Sequence, residues 1–231
     1  MNYTLFISDL HLQSGEPEKT DLFVKLLIGK ALQADALYIL GDFFEVWVGD
    51  DDNSAFNENI KAALKKFTNT QIPIYFMHGN RDFLIGKKFA QDTGCTLIND
   101  PTKIDLYGSP TLLTHGDMLC TKDKGYMRYR KLVRNPKCQC LFLLLPLTLR
   151  KKIARYLRAK SSKIKKSNKL NNIVPETITN LMQQYQVKQI IHGHIHKQGV
   201  YDKGTRISLG SWEDGRSILT YSELGLHGLK D

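Results

Sequence analysis

Five short apolar runs in this chain each end in a cluster of metal-binding side chains, and that recurrence limits the folds open to it. Tyr3 to Ile7 leads into Asp9-Leu10-His11, Ala36 to Leu40 into Gly41-Asp42, and Ile72 to Met77 into Gly79-Asn80-Arg81-Asp82. Thr111 to Thr114 leads into His115-Gly116-Asp117, and Gln189 to Ile191 into Gly193-His194-Ile195-His196. Helical patterns over 21–32, 57–67 and 83–92 fall between these runs, and Pro175-Glu176 opens a further helix to about Tyr185. Such alternation indicates an α/β sheet. In α/β sheets ligands bind beyond the carboxyl ends of strands, so all five clusters can converge on one place. Three shorter runs at 200–201, 206–209 and 217–221, separated by glycine-containing turns, read as antiparallel strands.

The spacing inside the clusters has a chemical meaning. On an extended backbone D-x-H and H-x-H direct both side chains to one side, where they can share an ion. Glycine in four of the five clusters, all but Asp9-Leu10-His11, lets the backbone turn and approach closely. Taken singly, each cluster has a blander account: D-x-H recurs by chance, His-Gly-Asp is ordinary turn chemistry, and a lone histidine near a strand is usually structural. The ordered set D-x-H, G-D-x-x-E, G-N-x-D, H-G-D, G-H-x-H, each at a strand end, is far more specific and points to metal.

With these motifs the chain resembles the calcineurin-like metallophosphoesterases from Asp9 to Trp212. The resemblance implies a four-layer α/β/β/α sandwich of two mixed sheets flanked by helices, with two metal ions sharing a carboxylate. Carried over by motif, Asp9, His11 and His196 would hold one ion, Asn80, His115 and His194 the other, and Asp42 would bridge. Two carboxylates, an amide oxygen and four imidazoles suit Mn²⁺, Fe²⁺, Co²⁺ or Zn²⁺. Two ions about 4 Å apart polarise phosphoryl oxygens and bind a hydroxide that attacks in line, so the resemblance implies hydrolysis of a phosphoester or phosphoanhydride. The catalytic set implied is Asp42, Asn80, Arg81 and His115.

One departure narrows the chemistry. Many members have histidine after the asparagine of the G-N motif, where it protonates a leaving group, whereas here Arg81 follows Asn80. Arginine cannot act as a general acid near neutral pH, but its fork clamps phosphate oxygens. A diphosphate, whose nucleotide phosphate leaves without a proton, is favoured over a simple monoester. The runs at 41–47 and 79–84, and the basic helical stretch after Gly116-Asp117, are similar to the branch acting on a UDP-linked diacylated glucosamine, with Mn²⁺ as the metal. That likeness implies substrate contacts at Asn80, Arg81, Asp123, Ser161, Lys165, Asn168 and His194, with Arg158 as a supplement.

The net charge of +10 becomes informative once it is located. Residues 122–169 hold seventeen Lys or Arg against one acid, Asp123, leaving an acidic remainder. A segment this basic expects an anionic partner: a phosphorylated substrate, an anionic membrane surface or nucleic acid. It also contains the apolar run 141–149, which serves either acyl chains and a membrane interface or the core beneath the segment. Helical patterns at 126–133, 147–159 and 161–170 make it an insertion, expected to act as a lid on a single domain spanning 1–231. All seven ligands lie outside it, so the centre is expected to survive its replacement by a linker. A same-fold nuclease is the rival reading, since +16 of local charge also suits a polyphosphate, although the segment lacks regular aromatic stacking positions. The run 141–149 is too short, and interrupted by Pro146, to span a bilayer. The N-terminus has no basic stretch of an export signal, so the expected location is the cytoplasmic face of the membrane, with Cys95, Cys120, Cys138 and Cys140 reduced.

Overall fold

Two sheets form the centre of the computed structural model, which describes residues 2–165, 173–213 and 217–227. The first sheet contains β1 (Tyr3–Ile7), β2 (Ala36–Leu40), β3 (Ile74–Met77), β4 (Thr96–Ile98), β10 (Leu219–Ser222) and β11 (Gly225–His227), in the order β11-β10-β1-β2-β3-β4. Strands β1 to β4 run parallel, and β10 pairs antiparallel with β1. The second sheet contains β5 (Thr102–Leu106), β6 (Ser109–Thr114), β7 (Gln189–His192), β8 (Gly199–Tyr201) and β9 (Arg206–Ser208), in the order β5-β6-β7-β9-β8.

Strand alternation builds the layers. Leu5, Ile7, Leu37, Ile39, Ile74 and Phe76 face outward onto α1 (Pro17–Ile28), α2 (Ala55–Thr68) and α3 (Lys87–Thr93), whose Phe23, Leu64 and Phe89 are fully buried. Their neighbours Phe6, Leu40 and Met77 face the other way and pack against Leu113, Ile191 and Ile207 of the second sheet. Leu112 and Ile190 cover the far face with Ile178 and Leu181 of α7 (Pro175–Tyr185). The period of two along each strand thus divides the apolar residues into three cores and yields the α/β/β/α order. In α2, buried Ile60, Leu64 and Phe67 recur at i, i+4 and i+7, the spacing of one helix face.

Several boundaries depart from sequence expectation. Helix α3 begins at Lys87 rather than Phe83, because its first turn is capped by a distant side chain: Asp50 accepts from Gly86 N at 3.0 Å and from Phe89 N at 3.0 Å. Strands β4 and β5 were not expected. Of the C-terminal strands, β9 pairs antiparallel with β8 but parallel with β7, and β10 joins the opposite sheet. Turn residues locate strands without choosing their partners.

The basic segment contains α4 (Lys124–Val133), α5 (Pro136–Leu143) and α6 (Leu147–Lys165), entered from β6 and left toward α7. Helix α5 lies between the helical patterns at 126–133 and 147–159, where Asn135 caps it by accepting from Lys137 N at 2.9 Å and Pro136 occupies its first turn. The expected break between 147–159 and a second helix from 161 is absent through Lys165. The apolar run 141–149 is divided: Leu141 and Leu144 are 67% and 76% exposed, whereas Phe142 packs against the core beneath the first sheet. Among the described residues no helix is long and apolar enough to cross a membrane.

Candidate metal centre

The five clusters lie beyond the ends of β1, β2, β3, β6 and β7, where the parallel parts of the two sheets face one another. They converge, but not by continuing the strands. Asp9, His11, Asp42, His194 and His196 have φ values of 57°, 51°, 51°, 72° and 57°, so left-handed residues, not an extended backbone, aim the D-x-H and H-x-H pairs inward. This corrects the argument from strand alternation. Strained backbone of this kind persists where its surroundings over-determine it, typically at functional sites. Two glycines permit the close approach: a Cβ on Gly79 would collide with Asp42, and one on Gly193 with Ser8 and Asp9.

Seven side chains gather into two groups joined by Asp42. In one, His11 Nε2 and His196 Nε2 are 3.2 Å apart, and Asp9 Oδ1 lies 3.3 Å from His196 Nε2. In the other, Asn80 Oδ1 stands 3.0 Å from His115 Nε2 and 2.9 Å from His194 Nδ1. Asp42 turns Oδ2 toward His11 Nε2 at 3.9 Å and Oδ1 toward His115 Nε2 at 3.7 Å. Ligand atoms of Asp9, His11 and His196 lie close enough together to hold one ion, as do those of Asp9, Asp42 and His115.

Surrounding hydrogen bonds leave the required lone pairs free. Asp9 Oδ2 accepts from Ser8 Oγ at 2.6 Å and from His194 N at 2.8 Å, whereas its buried Oδ1 has no hydrogen-bond partner. His115 Nδ1 lies 2.8 Å from the Leu40 carbonyl, so it carries the proton and Nε2 presents a lone pair to the centre. His11 Nδ1 lies 3.1 Å from Glu45 Oε2, an ion-pair contact outside hydrogen-bond geometry that favours a proton on Nδ1 and so leaves Nε2 toward the centre. An orphaned carboxylate oxygen facing oriented imidazoles fits a divalent ion.

The buried charges of the site act strongly on one another. Burial alone would raise the Asp9 carboxyl, but His196 beside its Oδ1 and the charge of His115 hold it well below the usual range. Burial raises Asp42, with the charge of Asp9 adding to the effect. Burial would lower His115, yet Asp42 and Asp9 outweigh it and push it to about 9, while burial and His115 push His194 down to about 4. Asp82 is pushed up to about 6 by burial and the charge of Asp42. Its carboxylate accepts from Phe43 N and Gly79 N, both at 2.7 Å, and so ties the Asp42 and Asn80 loops together.

The insertion reaches the site more deeply than sequence reasoning suggested. Tyr126 of α4 donates to Asp117 Oδ2 at 2.6 Å, and its ring stacks 6.2 Å from that of His194. Arg130 joins Asp117 at 2.8 Å and Asp100 at 2.7 Å, and Arg134 donates to the Gly79 carbonyl at 3.2 Å. Arg158 of α6 pairs with Glu45. Asp117 and Glu45 lie inside the recognised motifs, but their partners are 9 to 113 residues away, beyond any local signal.

The other sequence-predicted residues are placed as follows. Arg81 N donates to Asp42 Oδ1 at 2.8 Å, and its Nε, buried and without a hydrogen-bond partner, lies 3.8 Å from Asp42 Oδ2. Asp123 caps α4 by accepting from Tyr126 N at 2.8 Å. Ser161 and Lys165 fall in the C-terminal part of α6, and Asn168 lies outside the described residues.

Comparison with known proteins agrees with this geometry. The family model described as calcineurin-like phosphoesterase matches residues 3–198. A UDP-2,3-diacylglucosamine hydrolase of Photobacterium profundum is 46% identical over 224 residues, covering 94% of this chain and 91% of the relative. A protein of the same name from Coxiella burnetii is 44% identical over 233 residues, covering 97% and 96%. Among solved structures, vacuolar protein sorting 29 from Cryptosporidium parvum superposes with a TM-score of 0.50 at 14% identity, over 100% of this chain and 92% of that one. At that identity the likeness concerns the fold alone.

Proposed function

The chain belongs to the calcineurin-like phosphoesterase family, and from that premise we propose that it hydrolyses UDP-2,3-diacylglucosamine to 2,3-diacylglucosamine 1-phosphate and UMP, a reaction of lipid A synthesis. The observation that carries the reading is the pair of ligand groups spanned by the two oxygens of Asp42, with the unpartnered Nε of Arg81 beside them. Asp9, His11 and His196 would hold one divalent ion and Asn80, His115 and His194 the second, with Asp42 shared between them; Mn²⁺ is the metal we assign. When bound, the two ions polarise phosphoryl oxygens and lower the pKa of water.

The chain's own groups do the rest. Arg81 offers a buried donor to diphosphate oxygens and, having no proton to give, leaves the nucleotide phosphate to depart unprotonated. Asn80 and His194 face the same space, and α4 and α6 form a lid over it, with Asp123, Ser161, Lys165 and Asn168 as contacts for the remainder of the substrate. Exposed Leu141, Leu144 and Tyr156, interleaved with basic residues, suit acyl chains and an anionic membrane, so the protein works peripherally at the cytoplasmic face. The test is Mn²⁺-dependent release of UMP from UDP-2,3-diacylglucosamine. Cleavage of single-stranded DNA or RNA in its place would replace this reading with that of a nuclease.

A further inference from the structure

Glu45 stands between the candidate metal centre and the insertion. A backbone ladder fixes it beside His11: His11 N donates to Asp42 O at 3.0 Å, Leu12 N to Phe43 O at 2.9 Å, and Glu45 N to Leu12 O at 3.1 Å. Its two carboxylate oxygens face opposite ways. Oε2 lies 3.1 Å from His11 Nδ1, and Oε1 takes both Nε and Nη2 of Arg158. Helix α6 is itself seated along the loop that follows β2. Eight residues before Arg158, Arg150 donates to Val48 O and to Asp51 Oδ1 at 2.8 Å, and Lys151 donates to Asp52 Oδ1 at 2.7 Å. Residues 151 and 158 are seven apart on one helix face, so that side of α6 grips the segment running from Glu45 to Asp52.

We propose that Arg158 and Glu45 form a positioning relay through which the seating of α6 fixes the imidazole of His11 and so sets the affinity of the Asp9-His11-His196 group for its ion. The proposal rests on the metal-centre reading above. Its physical basis is general: a carboxylate beside the distal nitrogen of a metal-binding histidine favours the proton there and so biases its tautomer and ring orientation, and Glu45 stands at ion-pair distance from His11 Nδ1 without a hydrogen bond in proper geometry. A charge-assisted fork from arginine holds the carboxylate in turn. Arg158 touches neither ligand atoms nor reacting groups, so it is a positioning residue.

Metal binding without substrate tests this. The full-length chain, stripped of metal with a chelator, is titrated calorimetrically with Mn²⁺. The wild type should give two sites. Glu45→Ala should weaken one of them by about 10- to 100-fold, and Arg158→Ala should weaken the same site by about tenfold. The double variant should be no weaker than Glu45→Ala, because the two act in series. Arg158→Lys should recover part of the loss, and Arg155→Ala on the same helix should change nothing. An Arg158→Ala isotherm identical to wild type, with only the KM for the lipid substrate raised, would make Arg158 a substrate contact and overturn the relay. If Arg158→Ala does not fold by circular dichroism, Glu45→Gln, which keeps the side-chain volume, decides by the same criterion. A wild type that binds two ions while the variants do likewise removes the relay and leaves the hydrolase reading intact. A wild type that binds none removes the metal-centre reading as well.

Discussion

Asp42 is the residue on which both ligand groups depend, since one oxygen serves each. Asp42→Ala should abolish turnover and lower the Mn²⁺ content, while circular dichroism remains that of the folded chain, because the side chain contributes ligands and not core packing. A folded, metal-loaded variant with wild-type turnover would remove Asp42 from the centre. Arg81 has a narrower task. In the proposed reaction it would supply one charged donor to the phosphates, and removing one such donor from a preorganised site typically costs about 10²- to 10³-fold in kcat. Arg81→Ala should lose activity on that order in steady-state assays of UMP release. Arg81→His, which restores a group able to protonate a leaving oxygen, should raise activity on simple phosphomonoesters relative to Arg81→Ala.

Among the elements, α6 and the central strands lend themselves to measurement. Arg150 is almost wholly buried and satisfies the carbonyls of Val48 and Leu145 as well as Asp51. Arg150→Ala leaves those carbonyls without their donor, at a cost of about 1–3 kcal/mol. Denaturant unfolding should report that loss, and hydrogen exchange should quicken in α6. Tyr38 of β2 stacks between Phe6 and Tyr75, at centroid distances of 5.1 and 4.6 Å. Burial, with the charge of Tyr75 adding to it, pushes its hydroxyl from 10.0 up to about 12. The raised value means that the folded state holds this proton more tightly than the unfolded one. The resulting stability is complete below pH 10 and is lost as pH rises through about 12. The stability difference between wild type and Tyr38→Phe should therefore fall over that window, and a pH-independent difference would contradict the burial argument.

At the scale of the molecule, the insertion cannot be exchanged for a linker without consequence. All seven ligands lie outside it, as the sequence indicates, but Tyr126, Arg130 and Arg158 hold Asp117 and Glu45 from within it. Deleting it should weaken metal binding as well as lipid-substrate activity. The membrane role is better separated by point changes on its exposed apolar surface. Burying a leucine side chain contributes about 1.5–3 kcal/mol, so Leu141→Ser with Leu144→Ser should reduce partition onto anionic vesicles by about 10²- to 10⁴-fold. Hydrolysis of a small activated phosphodiester should be unchanged. Vesicle sedimentation at low salt reads the effect, and equal binding by wild type and variant would assign the surface another use.

The sequence by itself determined the class of fold and the identity of the candidate ligands. Hydrophobic runs ending in Asp, Asn and His at five places admit few architectures, and the donor types define the chemistry wherever they meet. Tertiary structure decided how they meet. Left-handed backbone at Asp9, His11, Asp42, His194 and His196 aims the side chains, and this depends on loops packed against one another across two sheets. The cap of α3 by Asp50, the parallel pairing of β9 with β7, and the hold of Arg158 on Glu45 likewise join residues far apart in the chain. Local pattern records periodicity and composition, which act over a few residues. Partner choice is settled by packing and by satisfying buried polar groups, and these exist only once distant segments share one interior.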